Sequence, residues 1–310
     1  MKRASALSAV VAGVLVIVTA LASIAFAGPR FSDWASVQKV DDIAGNSSEL
    51  NTPSLDGCPH QSPDGLSLYM ASNRPRFVGD PRTDLDIWVA HRAAKDAPWG
   101  APQNLGEPVN STFDDFCPTP IRGGDLFFVS REPLPGSCGM GDIYLARSDH
   151  EGGWREPKHL ACAPAGPNSA LDEQGPSYVR ADGRRLLYFS SGPDIYVSER
   201  SEGGSFGPAE PVAELNTTAT DIQPNVRKDG LEVVFASNRR EGTDQDLYAA
   251  TRERVGDQFS APVMLGGDVN TTDKNETRPS FSRDARTLYF GRTPGPEGST
   301  DIYVTTREKL

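Results

Sequence analysis

Five acidic residues recur at one position of a repeated phrase and together offer a set of carboxylates. Each acid stands three residues before a proline and shortly after an Asn-(Ser/Thr) step. If the repeated units close into a ring, these acids would surround its central channel. Carboxylate oxygens are hard ligands, so the acids could hold Ca²⁺ there. The alternative is structural, with each carboxylate accepting hydrogen bonds from backbone amides or from an arginine of the adjoining copy; recurrence in every copy favours it. The acids are Asp56, Asp115, Glu173, Asp221 and Glu276.

Two further pairs of carboxylates stand two residues apart, where a strand is expected to begin. The pairs are Asp84 with Asp86 and Asp244 with Asp246. A metal ion could bind such a pair. The second Asp of each pair belongs to the repeat, however, and we expect it to bond a backbone group or an arginine of the Ser-Asn-Arg phrase, Arg74 or Arg239.

Two other motifs have a chemical and a structural interpretation. Residues 203–207 read G-x-S-x-G, the pattern of a hydrolase nucleophile, but that chemistry needs a strand-to-helix turn, and no helix is predicted after them. His60 falls on a predicted inner strand near the channel. A polar channel lining is favoured for it over a catalytic or metal-binding role.

Four cysteines in a chain with an export leader predict two disulfides. Cys58 and Cys117 occupy the same repeat position, whereas Cys138 and Cys162 fall in connections on the same rim. We prefer Cys58 with Cys117 and Cys138 with Cys162, and the other two pairings stay open. A zinc site is disfavoured because neither a C-x-x-C pair nor suitably spaced histidines accompany the cysteines.

A unit of about 50 residues, written five times, positions all of these side chains. Its most regular phrase is Asp-(Ile/Leu)-(Tyr/Trp), and successive copies are separated by 56, 52, 52 and 55 residues. We interpret the opening aspartate as structural. The five are Asp86, Asp142, Asp194, Asp246 and Asp301.

Each copy predicts four strands. A short inner strand follows the proline, a turn such as Asp64-Gly65 reverses it, and an apolar run such as LLYF forms the second strand. The Asp-Ile-Tyr phrase opens the third strand, and an outer strand opens on Trp99, Trp154, Phe206 or Phe259. Four-stranded sheets repeated at this period are typical of propeller blades. The predicted fold class is an all-β, five-bladed β-propeller of four-stranded antiparallel blades.

The fifth copy ends near the last residue and lacks an outer strand of its own. Residues 31–40 are aromatic-led and strand-like, so we expect them to complete the last blade and to remove an open sheet edge. The expected organisation is a leader at residues 1–27 and one propeller domain at 28–310. Its repeats are residues 43–98, 99–153, 154–205, 206–258 and 259–310, the last joined by 31–40.

The phrases SPDG (62–65) and ASNR (71–74 and 236–239), with the five Asp-(Ile/Leu)-(Tyr/Trp) copies, resemble the TolB-type, WD40-like β-propeller repeat of exported bacterial proteins. The resemblance covers roughly residues 40–310. It implies a propeller fold and suggests an interaction role at the cell envelope.

The leader and the charge limit the partners. Lys2 and Arg3 precede an apolar stretch that closes on Ala25-Phe26-Ala27, as in a cleavable signal peptide, and a retained membrane anchor is the alternative. We therefore expect a secreted or periplasmic protein with no membrane span after the leader. The formal net charge of −11 makes nucleic acid an unlikely partner class, because phosphate binding needs a basic face.

These observations predict an exported, non-catalytic binding or scaffold propeller whose partner is a protein or a glycan held at the loop rim. Candidate binding residues are the five repeat acids, His60, Asp84 and Asp86. A glycoside hydrolase or other hydrolytic enzyme using rim carboxylates is the alternative, with Asp80, Asp84, Asp114 and Asp172 open as reacting groups. A carbohydrate-binding lectin is the second alternative.

Overall fold

The computed structural model describes residues 31–149, 151–240 and 244–310; the predicted leader lies outside these residues. Its first strand is β1 (Ala35–Lys39). Blade one contains β2 (Asp56–Gln61), β3 (Ser67–Ser72), β4 (Asp86–His91) and β5 (Gln103–Asn104). Blade two contains β6 (Asp115–Pro120), β7 (Leu126–Ser130), β8 (Asp142–Ser148) and β9 (Trp154–His159). Blade three contains β10 (Glu173–Ala181), β11 (Arg184–Ser191), β12 (Asp194–Arg200) and β13 (Phe206–Pro211).

Blade four contains β14 (Asp221–Val226), β15 (Glu232–Ser237), β16 (Asp246–Thr251) and β17 (Val263–Met264). Blade five contains β18 (Asn275–Phe281), β19 (Thr287–Thr293) and β20 (Asp301–Thr306), with β1 as its outer strand. In the described ranges the helical structure is a single 3₁₀ turn at Gly267–Val269, and no helix there is long and apolar enough to cross a membrane. The predicted five-bladed all-β propeller is therefore confirmed.

The second strands form the interior of the protein. All five residues of β7 and all six of β15 are buried, which explains why their sequences lack alternation. Hydrophobic clusters extend from one blade to the next and hold the sheets together; Phe127, Phe189 and Leu187, for example, share one cluster. A lone blade could not bury these faces.

Glycine sits in the hairpin after the inner strand of four blades, where a positive φ is required. The φ angles are 79° at Gly65, 85° at Gly124, 74° at Gly183 and 77° at Gly230. The fifth copy places Ala285 there, with φ 60°. The Asp-Gly turns that the sequence predicts are therefore present, and one alanine adopts the same conformation.

Two outer strands are shorter than the sequence predicts. Trp154 and Phe206 open their strands as expected, whereas β5 and β17 are two residues long and begin after Trp99 and Phe259. Pro102 and Pro262 immediately precede these strands. Proline alone does not explain the difference, because Pro157 stands at the same repeat position inside β9.

The chain closes the ring through blade five, as predicted. β1 pairs antiparallel with β20, with Gln38 opposite Val304 and Lys39 opposite Tyr303. The guanidinium of Arg307 lies 4.0 Å from the Phe31 ring centroid and 4.3 Å from that of Trp34. Its Nη1 also lies 2.7 Å from Oε1 of Glu232 in blade four. These contacts fix the N-terminal strand to the last blade and to its neighbour.

An asparagine of each blade holds the preceding blade. The amide of Asn110, for example, accepts a hydrogen bond from the Ile87 amide (2.8 Å) and donates one to the Ile87 carbonyl (3.0 Å). Equivalent pairs join Asn168 to Ile143, Asn216 to Ile195, Asn270 to Leu247 and Asn51 to Ile302. The last pair joins blade one to blade five. The Asn of the repeated Asn-(Ser/Thr) step is therefore an inter-blade clamp.

Candidate functional site

The five repeat acids are the first residues of their inner strands, or for Glu276 the second, and are almost completely buried, with 0–1% of each residue exposed. Asp56, Asp221 and Glu276 pair with Arg74, Arg239 and Arg292. These arginines come from the second strand of the same blade, or directly follow it, and not from the adjoining copy as expected. Since the carboxylates bond within their own blades, they do not present a ring of ligands for Ca²⁺ to the channel.

Blades two and three lack this arginine pairing. Asp115 accepts a hydrogen bond from the Ser111 amide (2.5 Å), and its Oδ1 is buried without a partner among the described residues. Burial raises the pKa of Asp115 to about 7. Glu173 accepts hydrogen bonds from the hydroxyls of Ser169 (2.6 Å) and Ser191 (2.7 Å), and burial raises the pKa of Glu173 as well.

Arg131, which follows the second strand of blade two, instead joins two other acids. Its Nη1 donates to Oδ2 of Asp114 (3.0 Å), and its Nη2 donates to Oδ2 of Asp172 (2.9 Å). The three side chains remain 34%, 30% and 21% exposed, in the order Arg131, Asp114, Asp172. We call this group the Arg131 cluster. It links the rims of blades two and three and is open to solvent.

Neighbouring groups fix both carboxylates of the Arg131 cluster. Oδ1 of Asp114 accepts from the Leu85 amide (2.9 Å), and Oδ2 of Asp172 accepts from Nε2 of Gln174 (2.8 Å). Gly141 leaves room for Asp172, because a Cβ at position 141 would collide with Oδ1 of that side chain. Both carboxylates therefore have defined positions rather than freely rotating side chains.

The sequence carries a signal for the Arg131 cluster, and Asp114 and Asp172 are two of the four acids that the hydrolytic alternative left open. Aspartate precedes the repeat acid in blades two and three only; the residues at this position are Leu55, Asp114, Asp172, Thr220 and Asn275. A departure from the repeat, in two adjacent blades, marks a place that the architecture alone does not require. The shared contact with Arg131 could not be read from the sequence.

The carboxylates of the blade-one loop have local partners. Asp80 pairs with Arg76 (Nε to Oδ2, 2.5 Å), and Asp84 pairs with Arg82. Asp86 accepts a hydrogen bond from Asn104 (2.8 Å).

The expected partners of two phrase-opening aspartates are corrected. Arg74 and Arg239 bind the inner-strand acids and not Asp86 and Asp246. Asp246 lies 3.0 Å from Nε of Arg240 instead.

The other phrase-opening aspartates differ in their contacts. Asp142 accepts from the Cys138 amide (2.7 Å), and Asp301 accepts from the Glu297 amide (3.1 Å). Asp194 pairs with Ser191 in the sheet register and is partly exposed. The position is therefore used differently from blade to blade, for backbone amides in blades two and five and for side chains in blades one and four.

Both preferred disulfides are present. Cys58–Cys117 links the inner strands of blades one and two, and Cys138–Cys162 links two rim connections. Cys138, Asp142 and His159 come within 4.8 Å of one another. The sulfur of Cys138 is in a disulfide and cannot act as a thiolate ligand, so this group is a hydrogen-bonded rim contact.

The central channel is narrow, and proline, glycine and disulfide-bonded cysteine form more than half of its lining residues. Its cavity of about 30 Å³ is lined by the middle residues of the five inner strands, including all five repeat prolines. His60 lies in this lining, and burial lowers the pKa of His60 to about 4, so the imidazole is neutral at pH 7. None of the lining residues is acidic.

Neither a protein-family model nor a curated protein matches the chain. Among solved structures, the GH43 endo-arabinanase from Bacillus licheniformis superposes with a TM-score of 0.56 at 14% identity, covering 82% of this chain and 94% of that one. Zg3597, a family 117 glycoside hydrolase from Zobellia galactanivorans, gives a TM-score of 0.53 at 14% identity, covering 91% of each chain. TolB from Acinetobacter baumannii gives a TM-score of 0.46 at 14% identity, covering 83% of this chain and 55% of that one.

At such identities these likenesses show the fold. They nevertheless correct the predicted main function, a non-catalytic binding or scaffold propeller, because the two neighbours with TM-scores above 0.5 just described are glycoside hydrolases. The hydrolytic alternative agrees with them better. The two disulfides agree with an extracytoplasmic protein, since disulfides persist in oxidising compartments.

Proposed function

We propose that this chain is an extracytoplasmic, carbohydrate-active hydrolase that works at the rim of blades two and three. Asp114 and Asp172 are its reacting carboxyl groups, and Arg131 positions them. The observation that carries the proposal is the Arg131 cluster itself: two solvent-accessible acids that depart from the repeat are brought together on one guanidinium.

The geometry suits glycoside hydrolysis. That reaction needs one carboxyl group as proton donor and a second as base or nucleophile, about 5 to 10 Å apart. Each carboxylate of the cluster lies at most 3.0 Å from a nitrogen of one guanidinium. Both acids are therefore held beside one guanidinium, the kind of carboxyl pair that this reaction uses.

The surroundings of the acids suit a sugar. Phe113 directly precedes Asp114 and is 42% exposed, and Leu171 directly precedes Asp172 and is 49% exposed. Apolar side chains beside carboxylates can contact the C–H face of a sugar ring while the acids reach its oxygens. The five-bladed glycoside hydrolases that share the fold support the same substrate class.

The test is hydrolysis of a panel of plant, algal and bacterial polysaccharides by the purified protein, measured by release of reducing ends. Asp114→Asn and Asp172→Asn should each lower the rate on any substrate found by about 100-fold or more. Asp273→Asn, at an exposed rim position of blade five, is the matched control and should retain full activity. The proposal fails if the panel yields no hydrolysis, or if both variants cleave as fast as the control.

A further inference from the structure

Arg278 is the one permanently charged side chain in the lining of the central channel. The five residues at this repeat position all have positive φ and interrupt the register of the inner strand. They are Cys58 (48°), Cys117 (49°), Gly175 (56°), Gln223 (56°) and Arg278 (54°). Two are joined in a disulfide and one is a glycine. Only blade five places a cation there.

The guanidinium of Arg278 extends from blade five toward blade one. A Cβ at position 57 would lie 3.4 Å from its Nη1. Gly57 occupies a position at which the other blades have Phe116, Gln174, Ile222 and Thr277. The missing side chain in blade one therefore leaves the space that the guanidinium enters.

Among the described residues, this guanidinium has no counter-charge. In the part of the chain that the structure describes, no carboxylate lies within ion-pair distance of Arg278, and its buried Nε has no hydrogen-bond partner. The amide of Gln223 is engaged elsewhere: its Oε1 accepts from the backbone amide of Arg278 (3.2 Å), not from the side chain. Burial, together with the charge of Arg131, lowers the pKa of Arg278.

An unpaired guanidinium inside a protein is costly, because it loses hydration and gains no partner. An anion that enters the channel would offset this cost. Carboxylates and other oxyanions match the planar fork of arginine and form charge-assisted hydrogen bonds with it. The cavity of about 30 Å³ has room for one such group and not for a whole sugar ring.

We propose that the channel is an anion site in which Arg278 binds a single carboxylate or a comparable oxyanion. The source is either a free small anion or the acidic group of a sugar acid whose ring remains at the mouth. The inference does not rest on the proposed hydrolysis, because occupancy of the channel requires neither Asp114 nor Asp172 to react.

The test measures binding and not turnover. Calorimetry and thermal unfolding, in a zwitterionic buffer poor in anions, compare galacturonate with galactose and with acetate and sulfate. Galacturonate or the free anions should bind and raise the melting temperature, whereas galactose should not. Preferential binding of galacturonate identifies a sugar acid as the source, and equal binding of acetate identifies a free anion. If no anion binds, the proposal is overturned.

Variants locate the site. Arg278→Met should weaken anion binding by about tenfold or more, since a charge-assisted hydrogen bond is lost, and should melt no lower than the native protein in the anion-poor buffer. Arg278→Lys keeps the charge without the fork and should bind with intermediate affinity. Arg254→Met is the control, because Arg254 is an exposed arginine of the loop after β16 and does not line the channel. Lower melting of Arg278→Met without anions, or loss of binding in Arg254→Met alone, would contradict the assignment.

Discussion

The same residue position has opposite electrostatic surroundings in different blades. Asp221 has a guanidinium partner, Arg239, at 2.5 Å, whereas Asp115 has none and its pKa is raised by burial to about 7. An aspartate in an unfolded chain titrates near pH 3.9. The native protein therefore binds the Asp115 proton more tightly than the unfolded chain does. The contribution of Asp115 to stability accordingly falls as the pH rises from about 4 to about 7, and the loss is complete above that.

Asp115→Asn should remove this dependence. We expect the variant to be more stable than the native protein at pH 8, by up to about 4 kcal/mol, and the difference should vanish near pH 4. Urea unfolding at a series of pH values measures it. Asp221→Asn is the matched comparison. Its free energy of unfolding should fall by about 3–5 kcal/mol at pH 8, because the substitution leaves Arg239 buried without its partner. Equal destabilisation of both variants at pH 8 would contradict the assignment for Asp115.

At the scale of the element, the Asn-(Ser/Thr) step connects blades. We interpreted the opening Asp of the repeat as structural and the Asn-(Ser/Thr) step as turn chemistry, in which Asn bonds the local backbone. The structure shows the asparagine amide bound to both backbone groups of the phrase in the preceding blade. These two hydrogen bonds add to the single backbone contacts between blades, such as the bridges Leu55–Thr300 and Gly141–Asp172.

Asn168→Ala tests this clamp. Asn168 is fully buried and bonds the amide and carbonyl of Ile143 and the carbonyl of Leu160. Removing the Asn168 side chain leaves those backbone groups unsatisfied and should lower the free energy of unfolding by about 1–3 kcal/mol. The midpoint of chemical unfolding reports the change, with the exposed Glu202→Ala as reference. If the two variants unfold at the same denaturant concentration, the clamp contributes nothing to stability.

At the scale of the whole molecule, stability depends on closing the ring. The N-terminal strand supplies the fourth strand of blade five, and Trp34 contributes to the core between blades four and five. Trp34 stacks on Phe281 with ring centroids 6.2 Å apart and lies beneath the guanidinium of Arg307. One residue near the start of the described chain therefore supports contacts made by its last strand.

Trp34→Ala should lower the free energy of unfolding by about 3–5 kcal/mol, the usual range for deleting a buried aromatic side chain. Trp154→Ala, at the outer strand of blade two, is the comparison. Because Trp154 is only partly buried, this substitution should lower the free energy of unfolding by less. Thermal unfolding followed by circular dichroism measures both. If Trp34→Ala lost less stability than Trp154→Ala, the N-terminal strand would not be needed to close the propeller ring.

The sequence by itself determined the five blades, the Asp-Gly turns and the strand that completes the last blade, and it favoured the two disulfides that the structure contains. These features follow from local patterns, such as apolar runs, turn residues and a regular spacing, and every copy repeats them. Only the tertiary structure decided that Asp56 and its equivalents turn toward their own blades, that Arg131 joins Asp114 to Asp172, and that Arg278 is left alone in the channel. Each of these depends on side-chain directions and on contacts between residues tens of positions apart, and a repeated pattern carries no information about which of several nearby charges will meet.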